Sequence, residues 1–79
     1  MENLKILLDS IDKVKSFVNL IAKFDFDFDL ISGRYIIDAK SIMGIFSLNL
    51  SDPIELSIHT NDPAEYEKVK EAITPYLVD

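Results

Sequence analysis

Phe24-Asp25-Phe26-Asp27-Phe28-Asp29-Leu30 alternates apolar and acidic residues without a break. Successive side chains of a β-strand point to opposite faces. The pattern therefore places Phe24, Phe26, Phe28 and Leu30 on one face and the three aspartates on the other. Such a strand belongs to a sheet with one buried and one wet face. Ser32-Gly33 reads as a tight turn, and Arg34 to Ala39 as the returning strand, so residues 24–39 are expected to form a hairpin.

Toward the N-terminus, Leu4, Ile6 and Leu8 mark a half-buried first strand. Asp9-Ser10 supplies helix-capping chemistry. Ile11, Val14, Phe17, Val18 and Ile21 then recur at helical spacing and predict an apolar helix face over about 11–22. Toward the C-terminus, Ser41 can cap a short helix carrying Ile42, Met43, Ile45 and Phe46, which Gly44 weakens. Ser51-Asp52-Pro53 is a loop, and Ile54, Leu56 and Ile58 mark a fourth strand. Asn61-Asp62-Pro63 opens a last helix, with Asp62 as cap, Pro63 at the first position and Glu65 completing a capping-box-like arrangement. Val69, Ala72 and Ile73 are its expected buried stripe, and Pro75 its end.

The element order is β-α-β-β-α-β-α. Helices with one apolar stripe must cover a sheet with one apolar face. The expected fold class is an α/β (α+β) two-layer open-faced sandwich: a four-stranded antiparallel sheet covered on one face by helices. The length, 79 residues, suits a single domain over 1–79. Hydrophobic residues make up 48% of it, enough for a packed core, and no cysteine is present. A formal net charge of −6 opposes nucleic acid and anionic lipid and favours a protein partner with a basic patch. With no apolar run of spanning length and no signal-peptide pattern at Met1 to Lys5, the expected location is cytoplasmic.

Candidate sites are few. Asp25, Asp27 and Asp29 begin like a calcium loop, D-x-D-x-D, but Leu30 and Ile36 stand where that loop needs Gly and Glu, so a solvated face and no metal are expected. His59, the only histidine, reads as a surface residue. Lys13, Lys15 and Lys23 read as a solvated helix face and Arg34 as a surface arginine. Ser41 reads either as an N-cap or as a phosphorylation site, because free N–H groups at a helix start tolerate an added phosphate. Ile42, Met43, Ile45 and Phe46 beside it are too apolar for so short a helix to bury, and read as a protein-docking patch. No acid–base pair, metal set or nucleophile constellation marks an enzyme, and no cofactor is implied.

The segment Lys40-Ser41-Ile42-Met43-Gly44-Ile45-Phe46-Ser47-Leu48 resembles the regulatory-serine segment K-S-I-M-G-V-M-S-L of HPr, the phosphocarrier of the sugar phosphotransferase system, in low-GC Gram-positive bacteria. The similarity extends back through Lys23-Phe24-Asp25 and Asp27 to Leu30, and the element order matches HPr. The resemblance implies that Ser41 is phosphorylated by an HPr kinase/phosphorylase-like kinase. It also implies that the phosphorylated form engages a transcriptional regulator or another phosphotransferase-system protein, and that the chain is a monomer.

The family's histidine site does not carry over. Its signature, G-[IL]-H-[AT]-R-P-A, should follow the first strand, where this chain has Asp9-Ser10-Ile11-Asp12-Lys13-Val14-Lys15. Ser10 or Asp12 stands at the histidine position, depending on the gap. The resemblance thus implies a divergent member, regulatory in role, with a degenerate phosphocarrier loop at Ser10 and Asp12. Two other readings stay open: a phosphocarrier with a non-histidine acceptor near Ser10 or Asp12, and a ferredoxin-like small-ligand-binding module, a class that commonly pairs.

Overall fold

The computed structural model describes residues 2–78. Its elements run β1 (Leu4–Ile6), α1 (Ile11–Ile21), β2 (Phe28–Ser32), β3 (Tyr35–Asp38), α2 (Ile42–Phe46), β4 (Ile54–Ile58) and α3 (Pro63–Ala72), then a 3₁₀ turn at Thr74–Tyr76. The strands form one antiparallel sheet in the order β1-β4-β2-β3. This is the open-faced sandwich expected from the pattern.

The register sorts the faces. Leu4 pairs with Leu56 and Ile6 with Ile54; Leu30 pairs with both Leu56 and Ile37, and Phe28 with Ile58. These residues share the helix-covered face, and Ile6, Phe28, Leu30, Ile54, Leu56 and Ile58 are all buried there. Lys5, Asp29, Ile31, Ile36, Asp38, Glu55 and Ser57 form the open face. Val14, Phe17, Val18 and Ile21 press α1 onto the sheet, and Phe17 meets Tyr76 edge-on with ring centroids 5.7 Å apart. Ile11, expected on that buried face, is 61% exposed. Helical side chains lean toward the N-terminus, so the first residue of α1 points past the packed turn.

The strand expected to start at Phe24 starts at Phe28. The physical reason is a lack of partners: β4 ends at Ile58 opposite Phe28, and β3 ends at Asp38 opposite Asp29. Past those ends the ladder continues only through the Ala39 N–H, donating to the Phe28 carbonyl at 2.9 Å, and the His59 N–H, donating to the Asp27 carbonyl at 3.0 Å. Phe24 and Lys23 instead donate to carbonyls at the end of α1. The in–out alternation survives in the bend: Phe24 and Phe26 are partly buried, Asp25 and Asp27 exposed. The rings of Phe24, Phe26 and Phe28 cluster with centroids 5.2 to 6.1 Å apart. The returning strand is likewise shorter than expected, Tyr35–Asp38. Gly33, at φ +59°, is the first residue of the two-residue loop, the position where a type II′ turn wants glycine.

Two features at the C-terminal end were not read from the sequence. The capping box is incomplete: Asp62 accepts from the Ala64 N–H, but its own N–H donates to Thr60 Oγ1 while Glu65 faces Lys68. Past Pro75, the chain covers the outer edge of β1. The Leu7 N–H donates to the Tyr76 carbonyl, the Val78 N–H donates to the Lys5 carbonyl, and Leu77 bridges Ile6. Tyr66, also unforeseen, is buried on α3 beside Val69 and donates to the Glu2 carbonyl at 2.7 Å, whereas the expected Ala72 is only half-buried.

Replacing Phe28 by alanine should cost about 3–5 kcal/mol, comparable with the whole stability of a small domain. Urea titration followed by circular dichroism should therefore find the variant largely unfolded. Burial, with Glu2 and Glu67 nearby, holds the Tyr66 phenol above its ordinary range. A raised folded-state value gives stability that is present below about pH 10 and lost as the pH rises through that value. Tyr66→Phe should therefore flatten the alkaline fall in unfolding free energy relative to the parent chain.

Candidate functional site

The backbone around Ser41 is held from several sides. The Lys40 N–H donates to Asp38 Oδ1 at 2.9 Å, and the Ser41 N–H donates to the Asp38 carbonyl at 3.0 Å. The Lys40 ammonium donates to the Phe24 carbonyl at 2.8 Å and lies 5.6 Å from the centroid of the Phe28 ring. Ser41, with extended backbone, is the N-cap of α2: its Oγ accepts from the Gly44 N–H at 3.2 Å and its carbonyl from Ile45. Ser47 closes the other end, donating to the Gly44 carbonyl at 2.6 Å.

Gly44 has a role beyond weakening a helix. A Cβ at this position would lie 3.2 Å from Ser41 Oγ and 3.5 Å from Ile37 Cδ1. The missing side chain leaves room beside the serine hydroxyl, which spacing alone does not reveal.

The expected four-residue docking patch divides in two. Met43 and Phe46, three apart on the helix, are 80% and 39% exposed and face outward together. Ile45 is fully buried and belongs to the core, and Ile42 is half-buried against it. A five-residue helix buries more than expected because it packs on both α1 and β3. The exposed surface is therefore Met43 and Phe46 with the edge of Ile42.

Ser10 and Asp12 lie together at the start of α1, away from Ser41. Ser10 is the N-cap, its Oγ accepting from the Lys13 N–H at 3.1 Å, and Asp12 is exposed in the first turn. Lys13 turns back to Asp9 at 2.9 Å, and that hydrogen bond holds the Asp9 carboxyl below its usual range. The start of α1 thus presents two carboxylates and one already-paired lysine, an unfavourable setting for a phosphoryl group. This loop follows the C-terminal end of β1, beside Ile54. Ser41 follows β3 at the other end of the sheet, beside Phe28 and Ile58.

His59 does not substitute for a histidine at α1. It sits just beyond β4 at that other end, half-exposed, with Nε2 2.9 Å from Asp29 Oδ2. Asp25 and Asp27 lie in the bend and only Asp29 on a strand. Among the described residues no three His, Asp or Glu converge as a metal-ligand set. No helix among them is long and apolar enough to cross a membrane.

A family model described as "PTS HPr component phosphorylation site" matches residues 13–77. The match begins just after Ser10 and Asp12 and includes Ser41. Among solved structures, HPr-C-His from Thermoanaerobacter tengcongensis is 26% identical, with a TM-score of 0.73, covering 92% of this chain and 90% of its own. The phosphocarrier protein HPr from Bacillus anthracis str. Ames shares the fold at 23% identity and a TM-score of 0.70, covering 98% and 94%. A comparison with curated proteins finds no match.

Replacing Ser41 by alanine should cost about 1 kcal/mol through the lost cap. Gly44→Ala alone should gain less than the roughly 1 kcal/mol typical of that change in a helix, because the new methyl crowds Ser41 Oγ. Adding it to Ser41→Ala should recover more of that gain. A double-mutant cycle by urea unfolding measures this coupling.

Proposed function

The chain belongs to the PTS-HPr family, and on that premise we propose that it is a regulatory, protein-docking member switched by phosphate on Ser41 rather than a histidine phosphocarrier. The reading rests on one observation above all: Ser41 stands at the start of α2 with its hydroxyl against a glycine, beside the exposed Met43 and Phe46. A phosphate here adds about −1.5 to −2 charges and three strong acceptors next to an apolar surface. A partner that reads both features needs arginine or lysine for the phosphate and an apolar recess for Met43 and Phe46. The partners consistent with the family are an HPr kinase/phosphorylase-like kinase that adds the group and a transcriptional regulator or phosphotransferase-system protein that recognises it.

Support for the loss of carrier chemistry comes from the start of α1. Its cap is Ser10 and its first turn carries Asp12, while the one histidine lies at the opposite end of the sheet. A phosphoramidate carrier needs an imidazole, and no imidazole stands there.

Intact-mass measurement after incubation with HPr kinase/phosphorylase and ATP should show one added phosphate, absent from Ser41→Ala. Met43→Asp, correctly folded by circular dichroism, should lower kcat/KM for that phosphorylation by about tenfold or more, a loss of roughly 1.4 kcal/mol. An unmodified parent chain, beside a control HPr that the same kinase labels, would remove the switch and leave Ser41 as a helix cap.

A further inference from the structure

The two edges of the sheet are treated differently. The outer edge of β1 is covered by Tyr76 to Val78. β3, at the other edge, has no neighbour beyond it among the described residues, and it exposes Tyr35 at 70% and Ile36 at 66%. It carries neither proline nor lysine, the residues that commonly blunt a free edge.

The backbone groups on this edge follow from the register. The Ala39 N–H donates to the Phe28 carbonyl at 2.9 Å, which makes Phe28 and Ala39 a hydrogen-bonded pair. Antiparallel pairs alternate, so Leu30–Ile37 and Ser32–Tyr35 are also hydrogen-bonded pairs, whereas Ile31–Ile36 and Asp29–Asp38 are not. Ile36 and Asp38 therefore aim their backbone groups away from β2. The Asp38 carbonyl accepts from Ser41 within the chain. The Ile36 N–H and carbonyl and the Asp38 N–H remain directed outward.

We propose that β3 pairs antiparallel with β3 of a second copy of this chain, Ile36 opposite Ile36, joining two sheets edge to edge about a two-fold axis. Side-chain complementarity selects this occupant and this register. With Ile36 on the axis, Tyr35 of each copy stands opposite Ile37 of the other, and Arg34, the second residue of the β2–β3 loop, comes level with Asp38, where its long side chain reaches toward the carboxylate. Every pair is then favourable: aliphatic on aliphatic, aromatic on β-branched, and opposite charges at both ends. Shifting the axis to Ile37 places Asp38 opposite Ile36 and leaves both charges without a partner. Shifting it to Tyr35 places Arg34 opposite Ile36 and does the same. The axis at Ile36 also matches outward-aimed backbone on both copies.

The contact is one short strand on each side, and both copies carry a net charge of −6. Association is therefore weak and concentration-dependent, in the class of small transient interfaces. It is isologous and closes at two copies, because the described residues leave one free edge per chain. It does not rest on the role of Ser41.

The test is a charge exchange on the full chain at physiological ionic strength, read by sedimentation velocity over a concentration series. The parent chain should shift from monomer toward dimer as concentration rises, with backbone amide shifts concentrated at 34–38. Arg34→Asp presents acid at both ends of the strand and Asp38→Arg presents base at both, so each alone should lose self-association at least tenfold. An equimolar mixture of the two should recover a heterodimer, since each acidic end then meets a basic one. Native-like circular dichroism of each variant ensures that lost association is not lost folding. A parent chain that stays monomeric into the millimolar range, or variants that associate no better mixed than alone, would overturn the proposal.

Discussion

The pairing of β2 with β4 at the centre of the sheet is the constraint on which the rest depends. Leu30 faces Leu56 and Phe28 faces Ile58 in one register, and all four side chains are buried under the helices. A slip of one residue would turn Phe28 and Leu30 to water and drive Asp29 into the core, where an unpaired carboxylate is very costly. The alternation of apolar and acidic residues therefore does more than favour a strand. It selects one alignment and one face.

That alignment also locates the serine. Because β4 ends opposite Phe28, the residues before Phe28 have no strand to pair with and form a bend. The bend brings the Phe24 carbonyl and the Phe28 ring within reach of the Lys40 ammonium. Lys40 and Asp38 then tie down the turn that delivers Ser41 to the start of α2. A chain of packing and hydrogen bonds thus connects the middle of the sheet to the candidate switch. Changes in the Phe24–Phe28 cluster should be felt at Ser41 even though they touch neither its hydroxyl nor Met43.

The fold was legible because its signals are local. Period-two alternation at 54–58, period 3.6 in α1, and the caps Ser10, Ser41 and Asp62 each sit where the pattern puts them. What escaped was set by long-range partners. Phe24 reads as strand until it is known that β3 and β4 have ended. Tyr66 and Tyr76 become core residues only once Glu2 and Phe17 are near them. Ile45 and Met43 are equivalent in a list of apolar residues, and only the placement of α2 against α1 and β3 buries one and exposes the other. The capping role of Ser41 was readable from its segment, but the closeness of Gly44 to Ser41 Oγ arises only in the folded chain.

On the proposed reading, the family fold has here kept one end of its chemistry and lost the other. The start of α2 retains a capped serine beside an apolar surface, whereas the start of α1 offers a serine cap, two carboxylates and a lysine paired to one of them. The most direct measurement of that division is phosphoryl transfer from phosphoenolpyruvate through enzyme I, with the site mapped by tandem mass spectrometry under conditions that preserve acid-labile phosphate. The account predicts no phosphate on this chain while a histidine-bearing HPr in the same mixture is labelled. A labile phosphate mapped to Ser10 or Asp12 would contradict it and would restore the chain to the phosphocarriers.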